Sequence, residues 1–538
     1  MALDDTGTKL QSVSNLATQY DRVRRESADA TLPAKPIAFS VDGRTFGYEA
    51  QVRQAFRVGS YVSIKTKDAN YLGQVTAQDV ATRDGPQYGI IATSNAGLVM
   101  GSVSKGSHFL DRVRFRYVQG GGELIGRLTP DGIERAAEGR AFDEAELEPA
   151  SGDMIALHLT AADTTRLDIG YALGVEPPGK VRVQLQPKGF YRHTFMCGQS
   201  RSGKTFALGV MLERLLLANG AFRIIILDPN SDFVRIDKIR AKDQYDKTLI
   251  APCSNEEYSA IKSQLSSSIR ILRPLPFNPS TLKVRLSDLD PGEQGAVLQL
   301  HPTRDLDAFN TFSRVVEGMG GPYSWEVIKN ALVSDARPSA LDLIRRIQNL
   351  RVADWRVWCQ TEETEEPSMP EILRQENWRG AVVDVGSLPS PDERAVSAIA
   401  VLNYLWKAKD PKKPVLLVID EAHNICPQEP ANQIQEIATD YIVRIAGEGL
   451  KYGLRLLLVS QRPAKIHASV LTQCENLVLM RMTSRADIES LSQTFSQVSP
   501  TLMAQSRYFV QGESLVVGEI AKSPTFAKFE GRISHEGA

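Results

Sequence analysis

The segment Gly198-Gln199-Ser200-Arg201-Ser202-Gly203-Lys204-Thr205 fits the pattern G-x-x-x-x-G-K-[ST] without a gap. Its flanks fit as well. The run His193-Thr194-Phe195-Met196-Cys197 reads as a short buried strand, and Phe206 to Leu217 is rich in helix formers. A strand, a glycine-rich turn and a helix in that order aim backbone N–H groups and the positive end of a helix at a polyphosphate. Residues Gly198 to Phe206 are therefore the expected nucleotide-binding segment. Lys204 reaches the β- and γ-phosphates, and the Thr205 hydroxyl binds Mg²⁺. Such a match arises by chance in about 2% of chains this long, and its flanks make a mere Gly/Ser-rich surface turn the weaker reading.

A second motif lies at Pro414-Val415-Leu416-Leu417-Val418-Ile419-Asp420-Glu421-Ala422-His423. Its apolar run suits a strand buried on both faces of a parallel sheet. Its two carboxylates fall at the carboxyl end, where open α/β sheets bind ligands. Asp420 is expected to hold Mg²⁺ through water, and Glu421 to orient and deprotonate the attacking water. One carboxylate could simply cap the next helix. A third run, Leu454 to Ser460, ends in Gln461-Arg462-Pro463. The Gln461 amide can touch the γ-phosphate or the lytic water there.

With 538 residues the chain should hold about 3 to 4 domains. The net charge of −1 excludes a strongly basic nucleic-acid binder but not a locally basic channel. Five cysteines (Cys197, Cys253, Cys359, Cys426, Cys474) stand far apart without a C-x-x-C pair. They read as reduced thiols of a cytoplasmic protein without a zinc site, Cys197 as a small packed residue. No apolar run reaches the length of a membrane span, and no signal peptide is evident.

The texture divides the chain. Residues 1–36 form a polar arm with an apolar stripe at Leu10, Val13, Leu16, Ala17, Tyr20 and Val23. This helix either folds on its own domain or docks a partner. Residues 37–185 show short alternating runs, such as 61–65, 88–92 and 113–118, with Gly120-Gly121-Gly122 as a turn, and suggest a small antiparallel barrel. Leu167 to Leu173 and Val181 to Leu185 lead into the next domain. From 186 strands alternate with helices, the mark of a parallel sheet. Strands are expected near 194–197, 223–228, 381–385, 415–420, 454–460 and 476–481, with a late strand-like stretch at 515–520. Asp228 either assists catalysis or caps a loop. Lys204 and Asp420 stand 216 positions apart (420 − 204), more than a minimal nucleotide-binding core needs. Residues 286–375 are thus read as a helical insertion between the core's first part, 186–285, and its second part with the C-terminal strands, 376–538. The run Glu362 to Glu366 reads as a solvated acidic loop.

Taken together, several segments resemble the HerA-type ATPases of the HerA/FtsK class, within the RecA-like P-loop motors. They are Leu167–Gly174 (LDIGYALG), Arg192–Thr205 (RHTFMCGQSRSGKT), Ile224–Phe233 (IIILDPNSDF) and Val415–His423 (VLLVIDEAH). Gly449–Pro463 (GLKYGLRLLLVSQRP), Cys474–Met482 (CENLVLMRM) and Gly512–Glu519 (GESLVVGE) complete the series. The resemblance covers about 170 to 525; the barrel matches by type more than by letters. It implies an α/β fold with a RecA-like core, a homohexameric ring with ATP sites between subunits, and a central pore for duplex DNA. Such proteins translocate DNA or power a bound nuclease, and some bacterial relatives form antiviral complexes with nuclease or sirtuin-like NAD-consuming partners. Where the family carries Gly-Arg-Lys, with the arginine acting on a neighbour's nucleotide, this chain has Gly449-Leu450-Lys451. Leu450 cannot stabilise transition-state charge. Arg444 and Arg481, or Lys451, Arg455 or Arg462, are the candidates to replace it.

Two functions follow. One is a ring-forming, ATP-driven DNA translocase of the helicase type that powers or controls a separate effector. The other is an ATP-binding hexameric scaffold that assembles and regulates an antiviral effector without processive movement. A membrane-anchored DNA pump ranks last. The sequence carries no visible nuclease or NADase motif of its own.

Overall fold

A computed structural model describes residues 35–83, 115–129, 132–134, 140–160, 167–175, 181–218, 222–246, 253–277, 279, 281–320, 323–359 and 367–537. The apolar stripe of the arm, the 88–92 run, Val113–Arg114 and the acidic run 362–366 lie outside them. The chain forms two compact units, residues 1–158 with 174–181, and residues 159–173 with 182–538.

The first unit is a barrel of β1 (Ile37–Ser40), β2 (Thr45–Gln51), β3 (Tyr61–Lys65), β4 (Asn70–Arg83), β5 (Phe115–Thr129) and β7 (Phe142–Pro149), with the short β6 (Gly132–Glu134) hung on β5. The order β2-β1-β7-β3-β4-β5 closes through an antiparallel β2–β5 pair, which leaves no open edge in the ring. Period-two alternation sends Phe46, Tyr48 and Ala50 of β2 inward, where they pack with Val62, Ile64, Val75, Val118 and Leu147. The triplet Gly120–Gly122 is not the turn its composition suggests but the middle of β5. Its role is space: a Cβ on Gly120 would stand 2.3 Å from the Tyr48 ring, and one on Gly122 2.1 Å from the Gln74 carbonyl oxygen and 2.4 Å from the Phe46 ring. Bare backbone there lets two inward aromatic rings of β2 lie across β5.

The second unit is built on an eleven-stranded sheet. Its strands are β8 (Leu167–Ala172), β9 (Arg182–Leu185), β10 (Thr194–Cys197), β11 (Arg223–Leu227), β12 (Ile269–Leu272), β13 (Gly380–Val383), β14 (Val415–Ile419), β15 (Leu454–Ser460), β16 (Asn476–Met480), β17 (Glu513–Val517) and β18 (Thr525–Phe529). They run in the order β12-β13-β11-β14-β15-β10-β16-β17-β18-β8-β9. From β12 to β16 all pairs are parallel; from β16 to β9 all are antiparallel. Every residue of β10, β14, β15 and β16 is buried, as continuous apolar runs covered on both faces require. The expected strands are all present within a residue or two, and the stretch at 515–520 enters the sheet as β17. β8 and β9 extend the same sheet.

Between β12 and β13 the described residues carry helices Pro291–Val297, Leu306–Glu317, Trp325–Val333, Pro338–Leu350 and Met369–Arg374 and no strand. Phe312, Trp325, Ile328, Leu343 and Ile347 are buried among them. The first is tied to the core helices Pro391–Lys407 and Gln433–Glu448 by Glu293. Its buried carboxylate accepts from Asn403 Nδ2 (2.6 Å), the Tyr441 hydroxyl (2.7 Å) and the Asp290 N–H (2.7 Å).

Candidate nucleotide-binding cleft

The parallel order sets β10 between β15 and β16, with β14 next to β15 and β11 next to β14. Register aligns Cys197 with Ser460 and Leu227 with Ile419, so the turns after β10, β11, β14 and β15 open at one edge of the sheet. A cleft of about 500 Å³ lies there. It is lined by Ser200, Arg201, Gly203, Lys204, Thr205 and Phe206 from the phosphate loop and by Asp420, Glu421 and Gln461 from β14 and β15.

The loop is shaped from behind. Arg201 (φ +61°) and Gly203 (φ +96°) adopt left-handed backbone, which turns the chain into the helix Lys204–Leu217. The Gln199 N–H donates to the Arg481 carbonyl (2.9 Å), the Thr483 hydroxyl to Gln199 Oε1 (2.8 Å), and the Gly512 N–H to the Ser202 carbonyl (2.9 Å). Gln199 and Ser202 thus anchor the loop from behind, and neither they nor Gly198 line the cleft. Lys204 is buried, with Nζ 3.2 Å from the Gln199 carbonyl oxygen; burial lowers its pKa while Glu421 and Asp420 oppose that. A phosphate entering the cleft offers this ammonium a stronger partner than a carbonyl.

The acids lie opposite. Burial, with the adjacent Glu421 charge adding to it, pushes the Asp420 carboxyl up to about 7. Asp232 Oδ2 stands 3.4 Å from the Thr205 hydroxyl, and burial raises its carboxyl too. Thr205, Asp420 and Asp232 thus all bring hard oxygens to the lining of the cleft. The described residues hold no cage of three or more His, Cys, Asp or Glu for a metal. Such a sparse oxygen set suits Mg²⁺, which keeps its waters and leans on substrate phosphates, better than a dedicated cage would. Glu421 has φ +42°, a conformation that costs a non-glycine residue energy and persists only where neighbours impose it. Its Oε1 accepts from Gln461 Nε2, and its Oε2 lies 3.3 Å from His423 Nδ1.

Other expected residues fall elsewhere. Asp228 is fully buried; its carboxylate accepts from the N–H groups of Asn230 (3.3 Å), Asp232 (3.0 Å) and Phe233 (2.8 Å). It does not line the cleft but organises the turn that carries Asp232, which is the loop-capping alternative. Arg481 lies behind the phosphate loop, with Nη2 3.5 Å from the Arg201 carbonyl oxygen. The Arg444 guanidinium stacks 5.2 Å from the Trp406 ring centroid. Neither lines the cleft within its own subunit.

Sequence reasoning missed Asn230, Asp232, Gln511, Gly512, Phe529 and Glu536, which complete the lining. Asp232 had a visible signal, an acid four residues past Asp228 in one turn. Glu536 had none. It is delivered by a segment whose Ile533 and Ser534 N–H groups donate to the buried Glu213 (2.9 and 2.8 Å), while Arg532 Nη1 donates to the Thr205 carbonyl (3.1 Å).

Residues 167–319 match the family described as "Helicase HerA, central domain". The chain is 35% identical over 133 residues to a probable helicase of Methanocaldococcus jannaschii, covering 24% of this chain and 25% of that protein. It is 32% identical over 167 residues to the DNA double-strand break repair helicase HerA of Sulfurisphaera tokodaii, covering 28% and 33%. These alignments span only a quarter to a third of the relatives' own length. Among solved structures, VirB4 of Thermoanaerobacter pseudethanolicus superposes with a TM-score of 0.45 at 16% identity, over 68% of this chain and 97% of that one.

Proposed function

We propose, for a chain that belongs to the HerA/FtsK class of P-loop ATPases, that it hydrolyses ATP with Mg²⁺ and uses the cycle to move DNA through a homohexameric ring on behalf of a separate effector protein. The observation that carries this reading is the convergence of Lys204, Thr205, Asp420, Glu421 and Gln461 on one cleft from sequence positions up to 257 apart (461 − 204). Lys204 binds the β- and γ-phosphates. Thr205 and Asp420, with Asp232 beside them, hold the Mg²⁺, which supplies charge neutralisation on the phosphate oxygens. Glu421 takes the proton of the attacking water, and Gln461 orients that water or the γ-phosphate.

The relatives' printed names, a probable helicase and a double-strand break repair helicase, support DNA as the substrate. No helix among the described residues is long and apolar enough to cross a membrane. A ring gives the cleft its missing cation: Arg444 or Arg481 of one subunit serves the neighbour's nucleotide, because Leu450 cannot. The effector, a nuclease or a sirtuin-like NADase, supplies the output chemistry.

Leu450 also favours a second reading, an ATP-binding scaffold that assembles an antiviral effector without processive movement. ATP turnover with and without duplex DNA separates the two. DNA-stimulated turnover, abolished by Lys204→Ala, supports the motor; ATP binding with turnover indifferent to DNA supports the scaffold. Mixing Arg444→Ala or Arg481→Ala subunits with Lys204→Ala subunits identifies the arginine, since partial activity returns only where it acts on its neighbour.

A further inference from the structure

Resting on Glu421 as the base of that reaction, we propose that His423 is its positioning residue, sharing one ring nitrogen between the base carboxylate and Ser460. His423 sits on the single helical turn Ala422–Asn424, directly after the left-handed Glu421. Its Nδ1 lies 3.3 Å from Glu421 Oε2 and 3.1 Å from Ser460 Oγ. Ser460 is fully buried at the end of β15, and its Oγ already accepts the Arg462 N–H at 3.0 Å. The next residue, Gln461, donates to the other Glu421 oxygen. One carboxylate oxygen is therefore held directly from the end of this strand, while the other, Oε2, is buried without a hydrogen bond and has the imidazole Nδ1 as its neighbour.

A neutral imidazole has one Nδ1 to offer. As a donor to Glu421 it fixes the carboxylate, and Ser460 must turn its proton elsewhere. As an acceptor from the Ser460 hydroxyl it turns a lone pair toward Oε2, and the carboxylate is released. The charged groups facing the ring are Glu421, Arg462, Lys465 and Lys204. Burial lowers the pKa of the imidazole, more than Glu421 raises it, so the ring is neutral at pH 7 and the choice is a real one. Gln461 is also the group a γ-phosphate would draw toward itself. Once it does, the strained Glu421 keeps its direction only through His423, which makes this contact decisive in the ATP-bound state rather than in the empty cleft.

The test combines turnover, binding and a readout that needs no turnover. His423→Ala should lower kcat by about 10- to 100-fold, the scale of a misplaced reacting group, while ATP affinity stays within about threefold, as expected when a transition-state interaction alone is lost. His423→Asn, whose amide can donate from the Nδ1 position, should recover most of the loss. Glu421→Gln/His423→Ala should be no slower than Glu421→Gln, because His423 acts through Glu421. Hydrogen–deuterium exchange at the His423 ring C2, followed by mass spectrometry across pH without nucleotide, should show the ring losing its proton at lower pH in Glu421→Gln than in the wild type. Wild-type turnover in His423→Ala, additive losses in the double variant, no recovery in His423→Asn, or an exchange profile blind to Glu421 would each overturn the proposal. A wild-type protein with no ATP turnover defeats the ATPase reading instead, and the exchange profile still decides whether the His423–Glu421 contact exists.

Discussion

Glu421 combines a left-handed backbone, burial and a carboxylate held at one oxygen by Gln461 while the other is buried without a hydrogen bond. Strain and an unpaired buried oxygen of this kind support the proposed role as general base over a capping carboxylate, which needs neither. Glu421→Gln should retain ATP and hydrolyse it about 10²- to 10⁴-fold more slowly, the worth of a positioned general base; single-turnover assays with pre-bound ATP check it. Asp228 offers a contrast in stability. Burial raises its carboxyl from 3.8 to about 6, against the three N–H groups it accepts from. The folded chain therefore holds a proton there that the unfolded chain releases between about pH 4 and 6. This contribution to stability is full below pH 4 and is lost as pH rises through 6. Relative to Asp228→Asn, the wild type should lose on the order of 2–3 kcal/mol between pH 4 and pH 7, read from denaturation midpoints of both proteins at several pH values. At this scale the sequence displayed the phosphate-loop residues, Asp420, Glu421 and Gln461, because each is adjacent to an apolar strand that announces it. Gln511, Phe529 and Glu536 were hidden because their contacts are made by residues more than three hundred positions from the phosphate loop (511 − 202 = 309).

Elements buried on both faces were the easiest to read. β10, β14, β15 and β16 are short apolar runs between polar turns, and their limits fall within one residue of the expected ones. β12 escaped notice because it follows the helix Asn255–Ser268 without a break and sits at the sheet edge, with Arg270 and Ile271 only partly covered. The glycine triplet misled for a physical reason. Glycine marks turns when it supplies unusual backbone angles, but in β5 it supplies room. Gly122→Ala should accordingly destabilise the barrel by at least about 1–3 kcal/mol, because the Gln74 carbonyl in its way is backbone and cannot step aside. Gly121→Ala, whose Cβ would come no nearer than 3.3 Å to the Phe46 carbonyl oxygen, should cost less. Melting temperatures of the two variants give the comparison. In the second unit, Glu293→Leu removes the acceptor for Asn403 and Tyr441 and should cost about 1–3 kcal/mol for the donors left buried. Glu293→Gln, which keeps one acceptor oxygen, should cost less in the same melting experiment.

For the molecule as a whole, a net charge of −1 leaves no diffuse attraction for DNA, so any binding must come from a few local cations. Binding to duplex DNA should be insensitive to sequence, and with roughly three to five phosphate contacts its log–log salt slope should be about −2.7 to −4.5; fluorescence anisotropy at graded salt measures both. Deleting residues 1–34 tests whether the arm is what holds an effector, by comparing co-purification with and without it. The architecture was legible as a class, barrel then parallel core, while the ring was implied by resemblance alone. The rear support of the phosphate loop has a further consequence for synthesis. Ser202 leaves the ribosome 310 residues before Gly512 (512 − 202), whose N–H braces it, and the Phe529–Glu536 wall follows later still. A nascent or prematurely released chain thus owns the whole signature motif but not the finished cleft. Under the proposed function, tight nucleotide binding therefore requires a chain made at least as far as Glu536. If the proposed ring assembles on bound nucleotide, subunits cut short before that point would be refused by that means alone.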